Sequence, residues 1–205
     1  MTARVEFFFD LSSPWTCLAF HNLPAVLERT GASAIYRPIL VGGVFNAVNP
    51  AVYAAREQTD SPRMQHSWKV LKDWARLANV PMQFPSQYHP AKSVQAMRFA
   101  TALEPDQDAL VRFARAAFAS YFDRQENLDD PDVLEAVATA EGLDGAAIRA
   151  AAGSDAVKAR LRANTEEVVA RGGYGSPTIF VDGSDMYFGN DQLPLVEAAL
   201  RRAPQ

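Results

Sequence analysis

The spacing of apolar residues divides the chain into a strand–helix–strand opening, a long helical middle and a strand–strand–helix close. Val5-Glu6-Phe7-Phe8-Phe9-Asp10 is a short aromatic run that Leu11-Ser12-Ser13-Pro14 breaks, which predicts a buried strand and then a turn. From Trp15 to about Thr30, Leu18, Ala19, Leu23, Val26 and Leu27 recur near the helical period, and Gly31 marks the stop. Pro24 is expected to bend this helix. Ala34 to Leu40 predicts a second strand. A strand, a helix and a strand in that order form a unit whose two strands run parallel with a right-handed crossover.

The pattern then changes. Gly42 to about Pro62 has no clean period and predicts a long loop holding one helical turn, and long loops in compact domains are often functional. Trp68, Leu71, Trp74, Ala75 and Ala78 form a helical stripe, and Leu110, Phe113, Ala114, Ala117 and Tyr121 form another. Both stripes are expected in the core or on a dimer face. Asp130-Pro131 and Ser154-Asp155 have the chemistry of helix starts, and Gly142 and Gly172-Gly173 that of helix stops. Beyond them Thr178-Ile179-Phe180-Val181, Asp182-Gly183 and Met186-Tyr187-Phe188 predict a hairpin. A last helix carries Leu193, Val196 and Leu200, with Arg201 and Arg202 at its negative end.

Folding the two ends of the chain together gives an α/β architecture. It is a four-stranded mixed sheet on the thioredoxin-like plan, interrupted by a large all-helical insertion. The expected division is 1–41 with 172–205 as the thioredoxin-like domain, and 42–171 as loop plus helical insertion.

Composition narrows the chemistry. Hydrophobic residues make up 48% of the 205 and charged residues 21%, a balance that excludes disorder and fibrous architectures. Twenty Lys and Arg against 24 Asp and Glu give a net charge of −4, with no basic block of the kind that grips phosphate backbones, so no nucleic-acid partner is expected. No apolar stretch is long enough for a membrane span, the N-terminal apolar run is too short for a secretion signal, and the expected compartment is the cytoplasm. The single cysteine, Cys17, excludes an internal disulfide, a two-cysteine redox cycle and a cysteine-rich zinc site. His21 and His66 lie in helical stretches without metal-ligand spacing, and no metal is expected.

Two segments carry candidate chemistry. Asp10 to Cys17 joins the first strand to the first helix, where open N–H groups and the macrodipole favour an anion. The plain reading is that Ser12 or Ser13 caps the helix ahead of Pro14. Gly175-Ser176-Pro177-Thr178 stands directly before a strand, an ordinary place for proline. Taken together, Ser13-Pro14-Trp15-Thr16 falls where a thioredoxin-fold redox protein carries Cys-x-x-Cys, and Ser176-Pro177 falls where that fold keeps a cis-proline.

Several further motifs follow in order along essentially the whole chain. They are Phe7-Phe8-Phe9-Asp10 with Ser13-Pro14, Arg37-Pro38-Ile39-Leu40 with Gly42-Gly43-Val44-Phe45, Val80-Pro81 and Phe84-Pro85. Ala96-Met97-Arg98-Phe99, Gly173 to Thr178 and Phe188-Gly189-Asn190-Asp191-Gln192-Leu193 complete the set. On these residues the chain resembles the 2-hydroxychromene-2-carboxylate isomerase family. That family is related to kappa-class glutathione transferases within the disulfide-oxidoreductase A group.

The resemblance implies a glutathione-dependent cis–trans isomerase acting on an aromatic-degradation intermediate, working as a homodimer. It implies that Ser13 is catalytic, hydrogen-bonding the sulfur of glutathione as an anion stabiliser. Such a bond to a charged acceptor is worth ~1.5–3 kcal/mol, enough to lower a thiol pKa of about 8.5 by one to two units. Asn190 and Asp191 are expected to hold the γ-glutamyl end, Ser176 and Pro177 the cysteinyl part, and Asn49 the ligand from its loop. Asn46 stands where family members often carry a lysine, which puts carboxylate recognition in question. Asn46, Tyr88 and His89 are the expected substrate contacts, and Arg63 is a further basic residue on that side. Cys17 is offset by one from the second-cysteine position, held by Thr16, and is expected to pack inward.

The main alternative is a kappa-like transferase that conjugates glutathione to electrophiles. A disulfide-exchange protein is disfavoured by Ser-x-x-Thr, and a glutathione- or peptide-binding module without turnover is the remaining reading.

Overall fold

A computed structural model describes residues 4–53 and 60–202. The sheet is built from the two ends of the chain: β1 (Arg4–Phe9), β2 (Ser33–Pro38), β3 (Thr178–Val181) and β4 (Asp185–Phe188). Their order is β2-β1-β3-β4, with β1 parallel to β2 and antiparallel to β3, and β3 antiparallel to β4. The expected Asp182-Gly183 turn joins the last two strands, and its hairpin pairs Val181 with Asp185.

The helices are α1 (Pro14–Thr30), α2 (Val41–Val48), α3 (Pro62–Leu77), α4 (Val94–Ala102), α5 (Gln107–Phe122), α6 (Pro131–Ala140), α7 (Gly145–Ala152), α8 (Asp155–Ala170) and α9 (Leu193–Arg202). A short 3₁₀ turn, Asn190–Gln192, leads into α9. Capping follows the sequence signals: Ser13, Ser61, Asp106, Asp130, Asp144 and Ser154 each accept a backbone N–H from the first turn of their helix.

Because strand side chains alternate, β1 serves two cores. Val5, Phe7 and Phe9 join the large core with α1, α4 and α5, while Phe8 turns to a smaller one with Ile39, Val44, Val168 and Phe180. Burial on both faces explains why β1 reads as a continuous aromatic run rather than an alternating one.

One expectation is corrected. The loop predicted from Gly42 contains α2, a helix of eight residues. Gly42 and Gly43 each lower helix propensity by about 1 kcal/mol, which hides the helical period from a reading of sequence alone. Packing restores the helix, since Val44 is fully buried in the smaller core beside Val168 of α8. Gly43 permits that approach, because a Cβ there would lie 3.1 Å from Thr165 Cγ2. Residues 54–59 of the predicted loop lie outside the described residues.

Candidate functional site

The turn between β1 and α1 spends its backbone donors in four different ways. Asp10 N–H donates to Ser176 Oγ (2.9 Å), and Leu11 N–H to the sulfur of Met97 on α4 (3.2 Å). Ser12 N–H donates to Asp10 Oδ1 (2.9 Å), and Ser13 N–H to Asp10 O (3.2 Å). Pro14 has none to offer. With its amides satisfied, the turn holds one shape and delivers Ser13 to the start of α1.

Ser13 does two things there. Its Oγ accepts the Thr16 N–H (3.2 Å) as helix cap, and its O–H donates to the carbonyl of Ser176 (3.1 Å). Ser176 precedes Pro177 across a cis peptide bond, the isomer the fold plan expects at that place. The Ser176 hydroxyl shares a 2.8 Å hydrogen bond with Thr16 Oγ1, so the second-cysteine position is also tied to the proline loop. Gly175 stands before Ser176 because a Cβ there would lie 2.6 Å from Phe188 Cε2. Cys17 is buried, and burial pushes its thiol up to about 12. It carries no thiolate near neutral pH and packs as a small hydrophobe.

The Asp10 carboxylate lies fully buried behind this turn. Its Oδ1 accepts from Ser12 N and Ser12 Oγ (2.9 and 2.8 Å), its Oδ2 from Val41 N and Ser93 Oγ (2.8 and 3.0 Å). Burial pushes the Asp10 carboxyl up, against four donors that favour the charged form.

Around this centre the other predicted residues take different places. Asn190 is buried, and its Oδ1 accepts from Asn22 on α1 (2.9 Å), while its Nδ2 has no hydrogen-bond partner among the described residues. Asp191 is exposed in the 3₁₀ turn and lines a cleft of about 560 Å³ with Trp15, Trp74, Tyr174 and Phe188. Asn49 ends α2 and reaches the carbonyl of Tyr174, two residues before Ser176, at 3.4 Å. Asn46 is exposed on α2 and accepts from Tyr53 O–H (2.9 Å). Tyr88 is exposed, and His89 packs edge-on against Phe84 with ring centroids 4.8 Å apart. Ser13 thus meets Ser176 directly, Asn49 reaches the same loop at Tyr174, Asn190 reaches α1 at Asn22, and Asn46 and His89 contact Tyr53 and Phe84.

The sequence profile described as a DSBA-like thioredoxin domain matches residues 4–201. The chain belongs to that family. It is 29% identical over 200 residues to a 2-hydroxychromene-2-carboxylate isomerase of Sphingobium xenophagum, a match covering 98% of this chain and 99% of the relative. It is 27% identical over 206 residues to glutathione S-transferase kappa 1 of Rattus norvegicus, covering 94% and 88%. Among solved structures, that of a 2-hydroxychromene-2-carboxylate isomerase superposes with a TM-score of 0.81 at 26% identity, covering 97% of this chain and 95% of that one. The fold and the isomerase resemblance read from the motifs are thereby supported over nearly the full length.

Three features of this member were not assigned from sequence. Asp10 opens the candidate Asp10–Cys17 segment but has no role of its own in the sequence reading, since nothing local reveals that Val41 and Ser93 converge on its carboxylate. Met97 was a motif residue without a role, and its sulfur receives the Leu11 amide. Trp74 both packs against the large core and lines the cleft beside Asp191. Its helical stripe signalled only the first.

Proposed function

We propose that the chain is a glutathione-dependent cis–trans isomerase of the 2-hydroxychromene-2-carboxylate isomerase type, with Ser13 as its catalytic residue. The observation that carries this reading is Ser13 Oγ at the start of α1, 3.1 Å from the carbonyl before cis-Pro177, where the one protein thiol, Cys17, is buried and protonated. A thiolate used there comes from a ligand. When bound, glutathione supplies a thiolate that adds reversibly to a conjugated carbon–carbon double bond and leaves unchanged after the bond has rotated.

The residues present fit that ligand. The unpartnered Asn190 Nδ2 supplies a buried donor for the γ-glutamyl carboxylate at a helix start, and Asp191 a partner for its ammonium group. Ser176 presents its backbone beside Ser13 to the cysteinyl part in the manner of an added strand, with Pro177 fixing the loop. Ser13 swings its O–H from the Ser176 carbonyl to the sulfur, a rotation that breaks no buried charge pair. Asn49 reaches the ligand from the end of α2. Asn46, Tyr88 and His89 face the organic substrate, an unsaturated keto acid from aromatic-ring cleavage. The enzyme works as a cytoplasmic homodimer in which 1–41 with 172–205 forms the thioredoxin-like domain and 42–171 the helical one.

Ser13→Ala at saturating glutathione and pH 7 tests the reading, and unchanged turnover overturns the role of Ser13. Conjugation of glutathione to electrophiles is the second reading, favoured by the kappa-class relative at 27% identity. Parallel assays with a chromene carboxylate and with chlorodinitrobenzene separate the two.

A further inference from the structure

We propose that Asp10 is a positioning residue, whose carboxylate sets the start of α2 and the Ser12–Ser13 turn in one register for a bound thiol ligand. Two helices begin beside it, and both lack a cap of their own. The cap residue of α2 is Leu40, which has no side-chain acceptor, and the Val41 N–H is taken instead by Asp10 Oδ2 at 2.8 Å. The cap residue of α4 is Ser93, which makes no cap bond to its helix and turns its hydroxyl to the same oxygen at 3.0 Å. The other oxygen closes the turn onto Ser12, so one side chain ties three segments together.

The Ser12 and Val41 amides can only donate, and they need one acceptor at Oδ1 and one at Oδ2. The Ser12 and Ser93 hydroxyls complete the set of four, and no cation among the described residues pairs with Asp10. The arrangement has a use at an active site. Through Val41 it fixes the helix that carries Asn46 and Asn49, and through Ser12 and its own carbonyl it fixes Ser13. Its backbone N–H adds the third element, the Ser176 hydroxyl at 2.9 Å. Asp10→Asn is isosteric but offers one acceptor oxygen for four donors, and its new N–H₂ must face either the Ser12 or the Val41 amide.

The effect on turnover rests on the isomerase reading above, and the test keeps the two apart. Asp10→Asn is compared with Leu134→Ala, a buried substitution on α6 that lowers stability away from the turn. Both are assayed below their unfolding temperatures. Asp10→Asn is expected to lose at least tenfold in kcat with glutathione saturating and to lose hydrogen-exchange protection at the Val41 and Ser12 amides. Leu134→Ala is expected to keep kcat within twofold and to keep that local protection. Unchanged protection in Asp10→Asn overturns the proposal, as does faster exchange with kcat retained. If Asp10→Asn does not fold, Ser12→Ala removes one of the four donors, and a threefold or greater loss of kcat is expected, with no loss overturning the proposal. If the wild type binds glutathione without isomerising, the isomerase reading fails alone. Exchange at Val41 and a tenfold weaker glutathione affinity in Asp10→Asn, measured by calorimetry, then decide the role of Asp10.

Discussion

Two polar clusters lie against the sheet, and they manage charge in opposite ways. On the face of Phe8 and Phe180, Glu6 pairs with Arg37 and Arg171, and Glu167 pairs with both arginines as well. Arg37 also approaches Glu104, which Arg160 grips with two nitrogens. The Arg171 guanidinium stacks 3.8 Å from the Phe180 ring centroid. At the far end of β1, the Asp10 carboxylate meets only neutral donors, and its neighbours Ser13, Thr16 and Ser176 are hydroxyls joined to one another and to backbone. Drawing either shared guanidinium, Arg37 or Arg171, from the first cluster costs Glu6 and Glu167 one of their two partners. A hydroxyl in the second re-aims its proton by rotation. The first arrangement holds structure, and the second leaves a hydrogen bond that a ligand can borrow.

The sharpest way to break this contrast is to remove the borrowed bond. Ser13→Ala is expected to lower isomerase turnover about 10- to 100-fold, the rate equivalent of one hydrogen bond to a charged sulfur. Its melting temperature should fall only slightly, by the loss of one cap. Arg171→Leu should do the reverse. It strips Glu6 and Glu167 of a partner, and urea unfolding is expected to show a loss of about 1–3 kcal/mol with kcat retained.

A smaller effect follows from Glu6. Burial alone would raise its carboxyl, but the Arg171 hydrogen bond and the Arg171 and Arg37 charges outweigh it and hold Glu6 below its ordinary value of 4.5. A carboxylate lowered in the folded state stabilises the protein above that ordinary value, and the contribution disappears as pH falls through the lowered one. Glu6→Gln is therefore expected to lose less stability than the wild type between neutral pH and pH values below 4.5. Parallel slopes of melting temperature against pH would show that the pair is not coupled to folding.

The smallest change is predicted for the one thiol. Cys17→Ala is expected to leave turnover within about twofold, because a thiol held protonated takes no part as nucleophile. A large loss would move the chemistry from ligand thiol to protein thiol.

The strands were legible because β1 and β3 are short and apolar and end at turn residues, and those signals need no tertiary context. The longer helices were legible from their stripes and from starts such as Asp130-Pro131 and Ser154-Asp155. Ser13, Ser176 and Pro177 were legible as a set only because their segments stand where the fold plan needs them. α2 was not legible, since Gly42 and Gly43 weaken its local preference while Val168 and Asp10, both distant in sequence, sustain it.

The sequence by itself determined the mixed sheet, the helical stretch between its halves and the replacement of a cysteine pair by Ser13 and Thr16. The sheet and the helical stretch follow from periodicity and caps, which are local properties, whereas the place of Ser13 and Thr16 follows from the fold plan and the resemblance. The tertiary structure bears out the inward packing expected of Cys17, and it alone decided that Asn190 keeps one buried donor without a partner among the described residues and that Asp10 gathers Ser12, Val41 and Ser93. Each of those depends on which atoms meet across long separations in the chain, and burial and hydrogen-bond partners are set by that meeting rather than by neighbours in sequence.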